Sequence, residues 1–167
     1  VEQDPEEMVR SVLEVVAEVL DKLGARAASV VNAGLATQRS SIVCWDRRDG
    51  TPLSPVISWQ DRRAHAWLNQ FATQAQAIHK TTGLYLSAHY GASKLRWCLD
   101  NLPAVGAAQR AGHLACGPLA AFLVFRFVRQ MQSMGEYAQV DWRLVPAGIL
   151  ILFALWILAA LALACST

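Results

Sequence analysis

The charges of this chain are distributed so unevenly that its average composition describes neither of its two parts. All 15 Lys/Arg and 13 Asp/Glu residues precede Leu144, while the last 24 of the 167 residues carry no charge and include 20 apolar side chains. Without that tail the hydrophobic share falls from 54% to about 49%, which is ordinary for a soluble domain. The sequence therefore predicts a soluble-type domain followed by an apolar segment of different character.

The segment 145–165 has the length and hydropathy of a membrane span. As an α-helix it would extend about 31 Å, close to the hydrocarbon thickness of a bilayer. Trp142 and Arg143 precede it, and no basic residue follows it. If 145–165 inserts into a membrane, this asymmetry keeps the preceding domain in the cytoplasm. A buried core helix, or a C-terminus read from a wrong frame, stays open as an alternative.

The overall charge argues against a nucleic-acid partner. The net charge is only +2, and the basic runs are no longer than the pairs Arg47–Arg48 and Arg62–Arg63. A nucleic-acid-binding surface needs a larger basic cluster to neutralise phosphates. We therefore predict no nucleic acid among the partners.

Cysteine and histidine spacing predicts no metal centre. The four cysteines are widely separated and form no C-x-x-C pair, so they suggest neither a disulfide framework nor a zinc site and fit a reducing compartment. The four histidines also lack ligand spacing, and we interpret them as surface or internally satisfied side chains. These residues are Cys44, Cys98, Cys116 and Cys165, and His65, His79, His89 and His113.

Local patterns predict an α/β domain. Asp4 and Pro5 mark the start of a first helix, whose apolar positions recur every three or four residues until Gly24. Short apolar runs predict strands at 29–36, 42–45 and 56–59, the last two joined through an Asp49-Gly50 turn. Further helices are predicted over 64–78, 92–99 and 103–111, followed by an apolar segment at 119–127.

Polar residues follow two of the predicted strands, at 36–41 and 58–63. Open α/β sheets bind ligands at such strand ends. Arg39 offers a fork of donors for hydroxyl or phosphate oxygens, and Trp59 offers a flat wall for a carbon skeleton. Gln60 and Asp61 can accept hydroxyl hydrogens, although Asp61 also fits a plain helix N-cap. Arg62 and Arg63 are interpreted as a solvated helix face.

Several spaced motifs point to one family. They are EQDPEE at 2–7, GLATQR at 34–39, WD at 45–46, GTPL at 50–53, WQDRR at 59–63, TGL at 82–84 and SKLRWCLDN at 93–101. In this order the chain resembles the FGGY carbohydrate kinases, and the glycerol kinase branch in particular. The resemblance covers about 1–127, so we divide the chain into a partial FGGY N-terminal domain at 1–127, a divergent linker at 128–143 and the hydrophobic tail at 144–167.

The resemblance implies a partial actin-like, ribonuclease H-like domain that lines one side of a substrate cleft. Members of the family transfer the γ-phosphoryl group of Mg-ATP to a hydroxyl of a sugar or polyol. ATP and Mg²⁺ are thus the implied cofactors, and a small polyol or sugar is the implied ligand. The membrane, through 145–165, and an oligomer of the chain stay open as further partners.

Substrate-binding residues are carried over from the family position by position. Arg39 matches the Arg of a Gln-Arg-Glu motif that binds substrate hydroxyls, but Ser40 stands where that motif has Glu. Trp59 matches the Trp that lines the polyol skeleton. His89 falls where the family has a substrate-contacting Tyr, with Tyr90 one position away. Losing a carboxylate that accepts two hydroxyl hydrogens weakens glycerol binding, so another polyol or sugar is at least as good a candidate.

The family's catalytic motifs do not occur in the 167 residues. The Asp-x-Gly-Thr-[ST] phosphate turn would precede Val1, and the catalytic Asp and ATP-binding domain would follow 127. We therefore expect a truncated chain, assign no catalytic residue, no ATP or Mg²⁺ site and no metal ligand to it, and expect no kinase activity from it alone. Two alternatives stay open: a membrane-anchored module that binds a polyol or a partner chain, and a frameshifted, non-functional gene product.

Overall fold

A computed structural model of the protein describes residues 1–133, which form a small antiparallel sheet covered by helices. The sheet order is β1-β3-β2-β4, and every neighbouring pair is antiparallel. The strands are β1 (Glu2–Gln3), β2 (Ile42–Asp46), β3 (Val56–Ile57) and β4 (Leu114–Pro118). The longest pairing joins β2 to β4 over five residues, from Ile42↔Pro118 to Asp46↔Leu114.

Within residues 1–133, six α-helices surround this sheet, and two 3₁₀ helices connect some of them. They are α1 (Pro5–Leu23), α2 (His65–Leu68), α3 (Ala75–Thr82), α4 (Gly91–Asn101), α5 (Pro103–Arg110) and α6 (Leu119–Ser133), with the 3₁₀ helices at Gly24–Ser29 and Asn69–Gln74. As predicted, Asp4 caps α1 by accepting a 2.8 Å hydrogen bond from the backbone N–H of Glu6, and Pro5 occupies the first turn. The described residues confirm the α/β class.

The core has two halves, one on each face of the sheet. On one face α1 and α6 pack against β2, around Val43, Trp45 and Phe122. On the other face α4 and α5 pack against β2 and β3, around Cys44, Ile57 and Cys98. All five β2 residues are buried, which fits a central strand covered on both faces.

The predicted strand at 29–36 is wrong. Ser29 ends a 3₁₀ helix, and 30–38 lies outside helix and strand. A strand needs a hydrogen-bonding neighbour, and within the described residues none pairs with this segment. Val30 and Val31 are therefore exposed despite their β-branched side chains.

Three other expectations need adjustment. The predicted helix over 64–78 is divided into α2, a 3₁₀ helix and α3. The predicted strand 56–59 is confined to Val56–Ile57, because the next residues turn away into the Ser58–Asp61 loop. β4 was missed because Leu114–Pro118 contains Gly117 and Pro118, which are unfavourable in strands, and it forms by pairing along β2.

The hydrophobic tail lies outside the described residues. So does most of the predicted linker at 128–143, whose first residues belong to α6. Among residues 1–133, no helix is both long and apolar enough to cross a membrane. The membrane insertion of 145–165 stays a prediction.

Candidate functional site

Three loops meet where β2 begins and β3 ends. Ile42 pairs with Ile57, so the turn before β2 and the loop after β3 lie at the same edge of the sheet. The third loop precedes α4 and carries His89. These loops bring Ser40 and Trp59 into contact with His89.

His89 is the centre of the cluster. Its Nε2 lies 3.0 Å from the hydroxyl oxygen of Ser40. Its ring meets the indole of Trp59 edge-on, with ring centroids 5.6 Å apart, and the ring of Tyr90 at 5.4 Å. Ser40 is buried, whereas His89 is exposed and Trp59 is 42% exposed. A wall of two exposed rings with polar atoms beside it suits a hydroxylated carbon skeleton.

Ser41 fixes the relative position of the first two loops. Its fully buried hydroxyl donates to Gln38 Oε1 at 2.6 Å and accepts from the backbone N–H of Trp59 at 2.9 Å. Its carbonyl accepts from the backbone N–H of Leu119 at 2.9 Å, which also ties the start of α6 to this edge. The polar segment 36–41 thus contains buried side chains that hold the loops together as well as side chains that are exposed to solvent.

Lys94 connects the first loop to the third. Its side chain is fully buried, and Nζ donates hydrogen bonds to the backbone carbonyls of Ser40 at 3.1 Å and His89 at 2.5 Å. Burial lowers the pKa of Lys94 to about 8, although the charge of Asp61 opposes that shift. At neutral pH the ammonium group therefore still predominates and donates to both carbonyls.

Asp61 is occupied by internal contacts. Its carboxylate accepts from the Arg63 side chain at 2.9 and 2.8 Å and from the N-terminal ammonium of Val1 at 2.6 Å. Burial opposes ionisation of Asp61, but these hydrogen bonds outweigh it and hold its pKa far below the usual range. Asp61 also accepts from the Arg63 backbone N–H. The predicted helix N-cap role is wrong, because α2 begins at His65 and Ala64 occupies its N-cap position.

Arg63 does not lie on a solvated face, contrary to prediction. Its guanidinium pairs with Asp61 and Glu2 and stacks over the ring of Trp97 at 4.4 Å. Arg39, in contrast, is exposed, and within residues 1–133 its side chain has no hydrogen bond or ion pair. Arg39 is therefore an exposed cation that directly precedes Ser40 in sequence.

Across residues 1–133, no group of three or more His, Cys, Asp or Glu side chains could hold a metal ion. The carboxylate of Asp61, in the loop that carries Trp59, is already paired with the Val1 ammonium and with Arg63.

Lys94 is the supporting residue that sequence reasoning missed. It belongs to the motif at 93–101, but a lysine in a helix is normally exposed. The spacing of Lys94 from Gly91 and Cys98 could have predicted its burial, because residues three and four apart share one face of a helix. All three are buried in α4.

Comparison with known proteins identifies the family. The N-terminal domain of the FGGY family of carbohydrate kinases matches residues 1–130. Glycerol kinase of Coxiella burnetii (strain Dugway 5J108-111) is 38% identical over 130 residues, covering 76% of this chain and 26% of the relative. Glycerol kinase of Verminephrobacter eiseniae is 40% identical over 138 residues, covering 81% of this chain and 27% of the relative.

A solved structure is similar to this chain and supports the same family. Plasmodium falciparum glycerol kinase, crystallised with ADP, superposes with a TM-score of 0.66 and 26% identity over 74% of this chain and 25% of that one. The chain thus spans about a quarter of the length of the curated relatives it matches. Within that quarter, the chain belongs to the FGGY family of carbohydrate kinases and carries the N-terminal domain of that family.

Proposed function

We propose that this chain contributes the acceptor-binding wall of an ATP-dependent kinase that phosphorylates a hydroxyl of a polyol or sugar. The wall consists of Arg39, Ser40, Trp59, His89 and Tyr90. Arg39 donates to substrate hydroxyls, Trp59 packs against the carbon skeleton, and the remaining three residues exchange hydrogen bonds with further hydroxyls. The finer actin-like, ribonuclease H-like topology inferred from the family is part of this proposal.

The observation that carries the proposal is the convergence of three loops at one edge of the sheet. Ser40, Trp59 and His89 are separated by 19 and 30 residues in sequence, yet Ser40 and Trp59 both contact His89. A partly exposed indole beside hydroxyl and imidazole groups offers both parts of carbohydrate recognition, an apolar face and fixed hydrogen-bonding atoms. Arg39, whose guanidinium has no partner among residues 1–133, adds a donor fork at the rim.

The acceptor we propose differs from glycerol in size or hydroxyl pattern. By the family resemblance, Ser40 replaces a Glu and His89 replaces a Tyr. A serine hydroxyl can donate as well as accept, whereas a carboxylate only accepts. Where the family's Glu can only accept a hydrogen bond, the Ser40 hydroxyl can also donate one. The Ser40–His89 pair therefore favours a ligand that presents a hydroxyl oxygen as an acceptor at this position.

Phosphoryl transfer is assigned to groups other than these five residues. The residues of the wall supply no phosphate-binding backbone turn and no unpaired carboxylate for a general base. We expect the 167-residue polypeptide to bind an acceptor and to leave ATP unhydrolysed. Incubation with Mg-ATP and a polyol panel checks this, and phosphorylated product above a mock preparation would overturn it.

Acceptor binding is tested directly by titration. The ¹⁵N-labelled chain is titrated with glycerol, xylitol, ribitol, arabinitol, xylulose and glucose while amide and indole resonances are recorded. The proposal expects saturable shifts at Ser40, Trp59 and Tyr90 with at least one ligand. If no ligand moves these resonances saturably, the wall does not bind acceptors and the proposal fails.

Paired arginine variants show whether binding uses this edge of the sheet. Arg39→Ala is expected to weaken binding about tenfold or more, as loss of a charge-assisted hydrogen bond does. Arg47→Ala is the matched control, because Arg47 is exposed and follows β2 at the opposite end of the strand. Equal losses in the two variants would point to non-specific binding.

A further inference from the structure

Two cysteines face each other across the sheet. In the antiparallel pairing of β2 with β4, Cys44 lies directly opposite Cys116, although 72 positions separate them in sequence. Both belong to the hydrophobic cluster on the α4 and α5 side of the sheet. Their side chains therefore extend from the same face of neighbouring strands.

The hydrogen bonds of Cys44 show which kind of cross-strand pair this is. Its N–H donates to the Ser54 hydroxyl at 2.9 Å, and its carbonyl accepts from the Leu53 N–H at 2.8 Å. Both groups thus point away from β4, so Cys44 and Cys116 form a non-hydrogen-bonded pair. In such pairs the Cα atoms are about 4.5 Å apart and the side chains approach closely. That separation lies within the range that a disulfide bridges.

A third thiol lies beside the pair. Cys98 projects from α4 into the same cluster, and its thiol interacts with that of Cys44. Contact with Cys116 and burial raise the pKa of the Cys44 thiol, so its thiolate is scarce at neutral pH. Cys44 and Cys98 are fully buried, whereas Cys116 is partly exposed. Cys116 is therefore the thiol that an external reagent meets first.

We propose that Cys44 and Cys116 are a redox modification site that closes into a cross-strand disulfide when the protein meets a low-molecular-weight disulfide such as oxidised glutathione. The Cys116 thiolate attacks one glutathione sulfur, expels the other glutathione as a thiolate and forms a mixed disulfide. The Cys44 sulfur then attacks Cys116 Sγ, and the Cys44 proton passes to the departing glutathione. One glutathione disulfide is reduced to two glutathione thiols, and two protein thiols become one disulfide.

The bond would fix the centre of the sheet. β2 is the strand before which Ser40 and Ser41 lie, and β4 leads directly into α6. A link between them closes a long loop and reduces the freedom of the unfolded chain. The oxidised protein should therefore unfold at a temperature several degrees higher than the reduced protein.

Peptide mapping of the full chain tests the proposal. Trypsin places each described cysteine in a separate peptide: Cys44 in 40–47, Cys98 in 97–110 and Cys116 in 111–126. The substitution Cys165→Ser removes the fourth thiol. After incubation with oxidised glutathione and non-reducing digestion, we expect peptide 40–47 linked to 111–126, with two hydrogens lost and two thiols gone by Ellman titration.

Two variants separate the outcomes. Cys98→Ala should leave the link and the higher unfolding temperature intact. Cys44→Ala should stop the reaction at the Cys116 mixed disulfide and abolish the thermal shift. A link between 40–47 and 97–110, a mixed disulfide that never resolves in the parent chain, or an unreacted protein would each overturn the proposal.

Discussion

The ammonium nitrogen of Lys94 lies 3.1 Å from the carbonyl oxygen of Ser40, although 54 residues separate them in sequence. The same nitrogen also donates to the carbonyl of His89. One buried lysine thereby joins the two loops whose side chains form the Ser40–His89 contact. Because the hydrogen bonds are made to backbone atoms, the link constrains the loops whatever side chains occupy them.

Replacing Lys94 should therefore cost stability. In Lys94→Met the two backbone carbonyls lose their donor, while the penalty for burying a charge disappears. The net expectation is a free energy of unfolding lower by about 1–3 kcal/mol. Urea unfolding followed by circular dichroism measures it. Lys80→Met is the control, since Lys80 is exposed on α3 and should change the value by less than about 0.5 kcal/mol.

The lowered pKa of Lys94 predicts a specific pH dependence. Its pKa is 10.5 when unperturbed and about 8 in the folded protein, so between these values the unfolded state binds more protons. Stability contributed by this residue therefore rises with pH across that window. The difference in unfolding free energy between the parent chain and Lys94→Met should climb from pH 8 to pH 10.5. A flat difference would show that Lys94 titrates normally.

Sequence patterns correctly predicted the elements that are determined by local signals, such as a helix cap or a continuous apolar run. α1 begins where Asp4 and Pro5 predict, and β2 is the buried apolar run expected at 42–45. The segment 29–36 also contains two β-branched valines, but without a neighbouring strand in the described part of the chain it stays irregular. β4 shows the reverse, because pairing with β2 outweighs the unfavourable Gly117 and Pro118.

Prediction of the candidate site was uneven for a related reason. Motif positions predicted the five candidate residues, but motifs do not show which of their atoms are in contact. These residues are Arg39, Ser40, Trp59, His89 and Tyr90. The Ser40–His89 contact and the buried Lys94 depend on how α4 packs under the two loops. Such long-range packing leaves no local signature other than a lysine on an otherwise buried helix face.

Restoring the residues that the family carries should restore glycerol recognition. The double substitution Ser40→Glu with His89→Tyr supplies a carboxylate acceptor and removes the imidazole that contacts Ser40. A hydrogen bond to a charged group is worth about 1.5–3 kcal/mol, so glycerol affinity should rise about tenfold to a hundredfold. Amide-shift titration with glycerol gives the affinity. Ser40→Gln with His89→Tyr has nearly the same shape without charge, and an equal gain there would contradict the charge argument.

The exposed apolar face of α1 should govern self-association. Val15, Val16, Val19 and Leu20 are 56%, 49%, 50% and 41% exposed, far more than scattered single residues require. Val9, on the same helix, is 6% exposed and packs in the core with α6. The helix is thus anchored at its first turns and unpartnered, within the described residues, along its second half.

Substituting Val16→Lys together with Val19→Glu should reduce association of the full chain, measured by sedimentation velocity. Because both side chains already face solvent, the free energy of unfolding should change by less than about 0.5 kcal/mol. Val9→Lys is the matched contrast, since it buries an unpaired charge and should destabilise the fold by about 3 kcal/mol or more. If the double variant associates as strongly as the parent chain, the α1 face is not the surface through which copies meet.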